Sequence, residues 1–186
     1  LETAHKVIET DLVINNLRDK IVKYLSSIFP VETVTEHQSV TISGLMHVAA
    51  DIEHIGDNCK DIANFAVDKI TKGYSFSDSA CAEIYQCFDH GSKMVSDSIE
   101  ALNTGNTLLA RHVKEQQEEM AVMEEHLREK HMRRLNKKQC SPEFSVVYTD
   151  IDNDLKKIGD NCDNIANAVL KDINFRAIKD DGEKQS

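Results

Sequence analysis

The chain has 186 residues, of which 40% are hydrophobic and 29% charged, as in ordinary soluble globular proteins. Its net charge of −10 argues against a nucleic-acid backbone as partner. No apolar run approaches the roughly 20 residues that a membrane-spanning helix needs, and the low content of glycine and proline (7 and 2 residues) favours long helices.

Five helical segments are predicted, each bounded by start or stop signals. Pro30 follows the first segment, and Gly73 follows the second as a C-cap signal. The stretch SFSD at 75–78 offers an N-cap for the third segment, NTGN at 103–106 ends it, and Pro142 suits the first turn of the fifth. The predicted segments cover residues 2–29, 31–72, 83–102, 107–138 and 141–174.

A sequence repeat organises these segments. The string IGDNC occurs at 55–59 and again at 158–162, inside matching frames 103 residues apart. The preceding stretches, EtDLVINNLRDKIVKYL from Glu9 and EMAVMEEHLREKHMRRL from Glu119, also match, at an offset of 110. Segments one and two therefore pair with segments four and five, and the chain carries two copies of one structural unit.

The first copy is predicted to lack its first helix, because the third segment has no counterpart before Leu1. We expect a truncated first repeat at 1–74, a complete three-helix repeat at 75–178 and a charged, frayed tail at 179–186. A missing helix leaves apolar surface uncovered. A longer parent chain, a partner or a second copy in a homodimer would cover it.

The repeated helix has a predicted core face, since a helix turns by about 100° per residue. Its apolar stripe consists of Ile55, Cys59, Ile62, Ala66 and Ile70 in the first copy and Ile158, Cys162, Ile165, Val169 and Ile173 in the second. Gly56 and Gly159 recur at one place in this helix, which suggests that another backbone approaches closely. The five cysteines form no CxxC pair, so reduced thiols are expected, with Cys59 and Cys162 as small core residues.

An acidic stripe is predicted on the opposite face. Glu53, Asp57 and Asp61 follow one another at four-residue spacing, so their like charges repel unless a multivalent cation offsets them. The second copy has Lys156 in place of Glu53 and keeps only Asp160 of these acids. The alternative for both copies is a solvated acidic face, or polar residues between packed helices.

A basic stretch lies near the end of the fourth segment. It contains His126, Arg128, Lys130, His131, Arg133, Arg134, Lys137 and Lys138. Such a stretch is typical of a solvated helix end that compensates the helix dipole, and the alternative is contact with anionic lipid or an acidic partner. No phosphate-binding loop, nucleophile motif or pair of Glu-x-x-His motifs is present, so we expect no enzyme.

The twin frames DIEHIGDNCKDIAN and DLKKIGDNCDNIAN resemble the signature helix of the PhoU family, which carries an E/D-x-x-x-D element followed by an NIA-like segment. Glu53 and Asp57 match the element in the first copy, and Asp160 alone matches it in the second. The resemblance implies an all-α fold of tandem three-helix bundles related by a pseudo-two-fold internal repeat, with the first helix of the first repeat missing here.

The resemblance also implies a function. It indicates a non-enzymatic regulator of phosphate transport at the cytoplasmic, inner face of the cell membrane, with a phosphate transporter domain or subunit as partner. The truncated start favours the cytosolic part of a sodium/phosphate cotransporter, and the alternative is a stand-alone uptake regulator. Some family members bind metal clusters through the acidic motif. A divalent or trivalent ion (iron, zinc or magnesium) is therefore expected at Glu53, Asp57, Asp61 and Asp160.

Overall fold

A computed structural model describes residues 1–28, 34–73, 76–140 and 142–175, with the backbone alone for 142–144. Five α-helices run through these residues, and the described part of the chain contains no β-strand, so the predicted all-α class is confirmed. The helices are α1 (Glu2–Ile28), α2 (Glu36–Lys72), α3 (Asp78–Thr104), α4 (Thr107–Asn136) and α5 (Pro142–Leu170). None of these described helices is both long and apolar enough to cross a membrane.

The ends of α2 show how local chemistry sets the helix limits. Thr35 and Gln38 form a capping box, in which each side chain accepts a hydrogen bond from the other residue's backbone N–H. Gly73 ends the helix with φ of 71°, a left-handed conformation that glycine adopts without strain, as the C-cap signal predicts. The predicted start of this helix at residue 31 was wrong, because residues 34 and 35 are not helical and Thr35, with φ of −76° and ψ of 163°, is the N-cap. The predicted stop at Pro30 lies outside the described residues, as do the tail at 179–186 and the repeat boundary at 74–75.

Two more predicted boundaries were wrong. Helix α3 begins at Asp78 and not at residue 83, whereas the N-cap predicted at 75–78 is confirmed, since the Ser77 hydroxyl accepts a hydrogen bond from the Ala80 N–H at 3.3 Å. Helix α5 ends at Leu170, four residues earlier than predicted. Asp172 there has φ of 64°, a left-handed conformation that a continuing helix cannot contain.

The helices pack as a three-helix bundle with a helix pair at its side. Helices α3, α4 and α5 contact one another, α2 packs on α5, and α1 packs on α2 alone among the described helices. The main core lies inside the bundle, where Met94, Leu102 and Val113 are completely buried. Burial of this apolar surface is the main term that stabilises the fold.

The two copies of the repeat are buried to different extents. In the second copy the whole predicted stripe from Ile158 to Ile173 is buried, as expected, and Ile173 lies just beyond the end of α5. In α2 the prediction was wrong for Ala66 and Ile70, which are exposed. Helix α3 packs on both α4 and α5, whereas no described helix lies in the equivalent place against α1 and α2.

Helices α1 and α4 also differ in how deeply their equivalent residues are buried. Leu127 and His131 of α4 are 4% and 6% exposed, while their counterparts in α1, Leu17 and Ile21, are 51% and 45% exposed. Equivalent sequence positions are therefore core in one copy and surface in the other. The reason is the neighbouring helix and not the residue type.

Candidate functional site between α1 and α2

Glu53 is the first residue of the predicted acidic stripe, and it lies in the interface between α2 and α1. The structure buries it to 7% exposure, so it matches the predicted alternative of a polar residue between packed helices and not that of a solvated acidic face. Its Oε1 accepts a hydrogen bond from Nη2 of Arg18 on α1 at 3.0 Å, and the imidazole of His54 lies 3.6 Å from Oε2. The guanidinium supplies the positive charge that a buried carboxylate requires.

Asp57 follows one turn later and also has a cationic partner. Nζ of Lys60 donates to Oδ1 of Asp57 at 2.6 Å and to Oδ2 of Asp11 at 3.0 Å. The hydrogen bond from Lys60 lowers the pKa of Asp57, against a smaller opposing effect of burial. Lys60 therefore joins carboxylates from two helices.

Asp11 was not predicted as a site residue. It is 3% exposed, and although Oδ2 accepts from Lys60 and from the amide of Asn15, its Oδ1 has no hydrogen-bond partner among the described residues. The side-chain oxygen Oδ1 of Asn15 is also buried and has no hydrogen-bond partner among the described residues. Asp11 could be found from the sequence only as a polar residue on the face of α1 that packs on α2, because its partner Lys60 is 49 residues away.

Gly56 makes this close packing of α1 on α2 feasible. A Cβ atom added at Gly56 would lie 3.1 Å from Cδ1 of Ile14, and one added at Gly159 would lie 2.4 Å from Oε1 of Gln117. The expectation that another backbone approaches these glycines was wrong, since side-chain atoms are the nearest neighbours. The missing side chain makes room for neighbouring side chains in both copies.

The second copy has a related arrangement with other residues. Asp160 accepts from Lys156 at 3.0 Å and from the amide of Gln117 at 2.6 Å. One turn along α5, Asp163 accepts from Lys114 of α4 at 2.9 Å. Lys156 stands where the first copy has Glu53, and Asp163 stands where it has Lys60, so the signs of charge are reversed at both positions.

Asp61 and Asp160 line a different part of the surface. Both border a groove of about 400 Å³ between α2 and α5, together with Asp150, Asp154, Lys156 and Lys157. The hydrogen bond of Lys157 to Asp154 raises the pKa of Lys157, and the charge of the exposed Asp61 adds to this rise. The four predicted metal ligands are thus divided between two places. Glu53 and Asp57 are tied to α1, while Asp61 and Asp160 face the groove.

The oxygen atoms between α1 and α2 are of the kind that hard cations prefer. Over the described ranges, however, no three histidine, cysteine, aspartate or glutamate side chains come together as a ready metal-ligand set. The charges of Arg18 and Lys60 already balance those of Glu53, Asp57 and Asp11 in part. A metal ion at this place would have to compete with these two side chains.

Comparison with known proteins places this chain in a family. The family model described as the PhoU domain matches residues 1–66 and 84–169, which is most of the chain. A curated protein of Thermotoga maritima, "Phosphate-specific transport system accessory protein PhoU homolog 1", is 25% identical over 167 residues, or 90% of this chain and 71% of that protein. The expected family is thereby confirmed: this chain belongs to the PhoU domain family.

Proposed function

We propose that this chain is a non-enzymatic regulatory domain of phosphate transport that acts at the cytoplasmic face of the cell membrane. The match of the PhoU domain over both repeats carries the proposal, and the similar protein of Thermotoga maritima is named as an accessory of phosphate-specific transport. The described part of the chain is a bundle of five α-helices, and this fold agrees with a binding role.

Deletion of the gene, followed by measurement of radiolabelled phosphate uptake and of a phosphate-responsive reporter, tests the role. We expect uptake or reporter output to become insensitive to external phosphate, and the wild-type gene to restore the response. A deletion strain that responds to phosphate like its parent would show that the chain does not regulate this transport.

The finer proposal is that the domain forms the cytosolic part of a sodium/phosphate cotransporter. The exposed apolar side chains on α1, among them Leu17 and Ile21, support it, because they offer a surface that an attached or docked segment would cover. The alternative is a stand-alone regulator that binds a transporter subunit. Extraction of membranes at alkaline pH separates the two, since a cotransporter domain stays in the membrane pellet and a peripheral regulator is released.

A second proposal concerns a bound cation. The unpaired Oδ1 of buried Asp11 favours a cation site between α1 and α2, with Glu53 and Asp57 as further oxygen donors. A divalent or trivalent ion such as iron, zinc or magnesium would supply there the positive charge that Lys60 and Arg18 now contribute. The predicted ligands Asp61 and Asp160 form a separate, more exposed candidate pair in the groove between α2 and α5.

Elemental analysis of purified protein tests both places. The variant Glu53→Gln/Asp57→Asn is expected to lose bound metal, and Asp61→Asn/Asp160→Asn is the matched double variant with the same change of charge. Equal metal content in wild type and both variants would reject the sites. Loss in the second variant alone would move the site to the groove.

A further inference from the structure

A pocket of about 450 Å³ lies at the end of the three-helix bundle where α3 begins and α4 ends. This size falls within the range of small-molecule sites in proteins. The described residues that line it are Ser77, Ser79, Lys130, Arg133, Arg134, Lys137 and Gln139. Four of them are cationic and none of the described lining residues carries a carboxylate, although the whole chain has a net charge of −10.

The fold explains why these residues meet. Helices α3 and α4 run antiparallel, as the pairing of Glu83 with Arg134 and of Asp97 with Gln116 shows. The last turns of α4, which carry the basic stretch, therefore lie beside the first turn of α3. Cations at the end of α4 also compensate its dipole. That effect does not account for the hollow that these basic residues line together with Ser77 and Ser79.

Arg134 lies at the wall of this pocket and contacts residues of α3 and α5. Its Nη1 donates to Oε2 of Glu83 at 2.8 Å, its Cζ lies 5.3 Å from the ring centroid of Tyr148, and its side chain is only 12% exposed. The ring of His131 stacks on Tyr148 at 4.4 Å on the same side of the bundle. The expectation that the basic stretch is a solvated helix end was therefore wrong for Arg134 and His131, which are packed.

The charges at the pocket remain unbalanced. Glu83 pairs with Arg134 and lies 3.6 Å from Lys130, and Glu129 pairs with Arg133 at 3.2 Å. These two carboxylates pair with three of the four cations, and Asp78 is a further acid in the first turn of α3. The hydroxyls of Ser77 and Ser79, 3.1 Å apart, and the N-terminus of the 27-residue helix α3 add donors and a positive dipole end.

We propose that this pocket binds a phosphate-bearing anion, supplied either as a free phosphate or diphosphate or as the headgroup of an anionic lipid. Arginine and lysine bind phosphate oxygens through charge-assisted hydrogen bonds, and hydroxyl and backbone N–H donors complete such sites. The inference goes beyond the proposed regulatory role and does not depend on it, since it rests on the charges and shape of the pocket.

The test compares three forms of the full chain. The pocket variant is Arg133→Gln/Lys137→Gln, which removes two exposed cations, and the control variant Lys93→Gln/Arg111→Gln removes two exposed cations far from the pocket. Inorganic phosphate and pyrophosphate are titrated by calorimetry at low salt. In a second arm, vesicles of phosphatidylcholine with and without phosphatidic acid are co-sedimented with the protein.

We expect the wild type and the control variant to bind, and the pocket variant to bind at least about tenfold more weakly in at least one arm. If the pocket variant loses binding in the titration, the ligand is a free anion. If it loses binding only to vesicles that contain phosphatidic acid, the ligand is a lipid headgroup. Circular dichroism melts verify that the variants fold, and Lys137→Glu alone serves as a second variant. Absence of binding by the wild type in both arms, or equal weakening in the pocket and control variants, would overturn the proposal.

Discussion

Nζ of Lys60 on α2 lies 3.0 Å from Oδ2 of Asp11 on α1, and this ion pair joins the two helices of the first repeat. The second repeat has an ion pair of opposite polarity, in which Lys114 of α4 lies 2.9 Å from Asp163 of α5. The repeated helix thus contributes the base in one copy and the acid in the other. The fold keeps an interhelical ion pair near this position while the signs of charge are exchanged, so the two copies present different chemistry to a ligand.

Removal of the Lys60 ammonium should destabilise the first repeat. The variant Lys60→Met leaves the Asp11 carboxylate buried without its cation, and we expect the free energy of unfolding at pH 7 to fall by about 1–3 kcal/mol. Urea denaturation measures this fall in the free energy of unfolding. The control Lys156→Met breaks a more exposed pair with Asp160 and should cost less than about 1 kcal/mol.

The cost of Lys60→Met should also depend on pH. Because Lys60 lowers the folded-state pKa of Asp57, the stabilisation from Asp57 is present above its ordinary pKa and disappears as pH falls through the lowered value. Urea denaturation repeated down to about pH 3 should therefore give a smaller difference between wild type and Lys60→Met than at pH 7. A difference that is the same at both pH values would contradict the role given to this pair.

Equivalent leucines in the two repeats should respond differently to truncation. Leu127→Ala opens a cavity in the three-helix core and should cost about 2–4 kcal/mol of unfolding free energy. Leu17→Ala changes a side chain that is 51% exposed and should cost less than about 1 kcal/mol. Chemical denaturation of both variants measures the two losses of unfolding free energy. Similar losses at the two positions would mean that α1 is covered in solution.

Asp152 should make the protein less stable as pH rises from about 4 to about 6. It is 6% exposed, and burial, followed by the nearby charge of Glu124, raises its pKa to about 6. The folded state then holds the proton more tightly than the unfolded state, so this contribution to stability is lost as pH rises through that range and stays lost above it.

The variant Asp152→Asn removes this titration. We expect it to raise the free energy of unfolding at pH 7 by about 2 kcal/mol and to change it little at pH 3, with Asp89→Asn on the surface of α3 as control. Urea denaturation at a series of pH values measures the difference. A variant less stable than wild type at pH 7 would show that the Asp152 carboxylate is ionised and stabilised by its surroundings.

The five cysteines should differ in reactivity. Cys162 is fully buried, and burial raises its pKa to about 12, while burial raises the pKa of Cys87 to about 11. Thiolate is the reactive form, so both should resist a thiol reagent in the native protein, whereas the partly exposed Cys81 and Cys140 should react. Mass spectrometry after timed labelling identifies the modified residues. Rapid labelling of Cys162 without denaturant would show that α5 separates from its bundle.

Much of the fold follows from local sequence. The glycine after α2 and the apolar spacing from Ile158 to Ile173 are signals within a few residues, and the structure has the helix end and the buried face that they predict. The same apolar spacing failed for Ala66 and Ile70, since a stripe is buried only where another helix covers it.

The candidate site was predictable in position but not in composition. The signature helix showed Glu53 and Asp57, yet their surroundings include Arg18 and Asp11, which lie 35 and 49 residues from their partners Glu53 and Lys60. A residue pattern along one helix contains no information about which side chain of another helix lies opposite. For this reason the sequence alone could not decide whether Glu53 lies on a solvated face or between packed helices.

The sequence by itself determined the helical class, the internal repeat and the family, because these depend on periodicity, caps and a local motif. Only the tertiary structure decided that Lys60 bridges Asp11 and Asp57, that Leu17 is surface while Leu127 is core, and that the basic end of α4 faces the start of α3. The physical reason is that charge balance and burial are set by neighbours distant along the chain, which only the packing of the helices brings together.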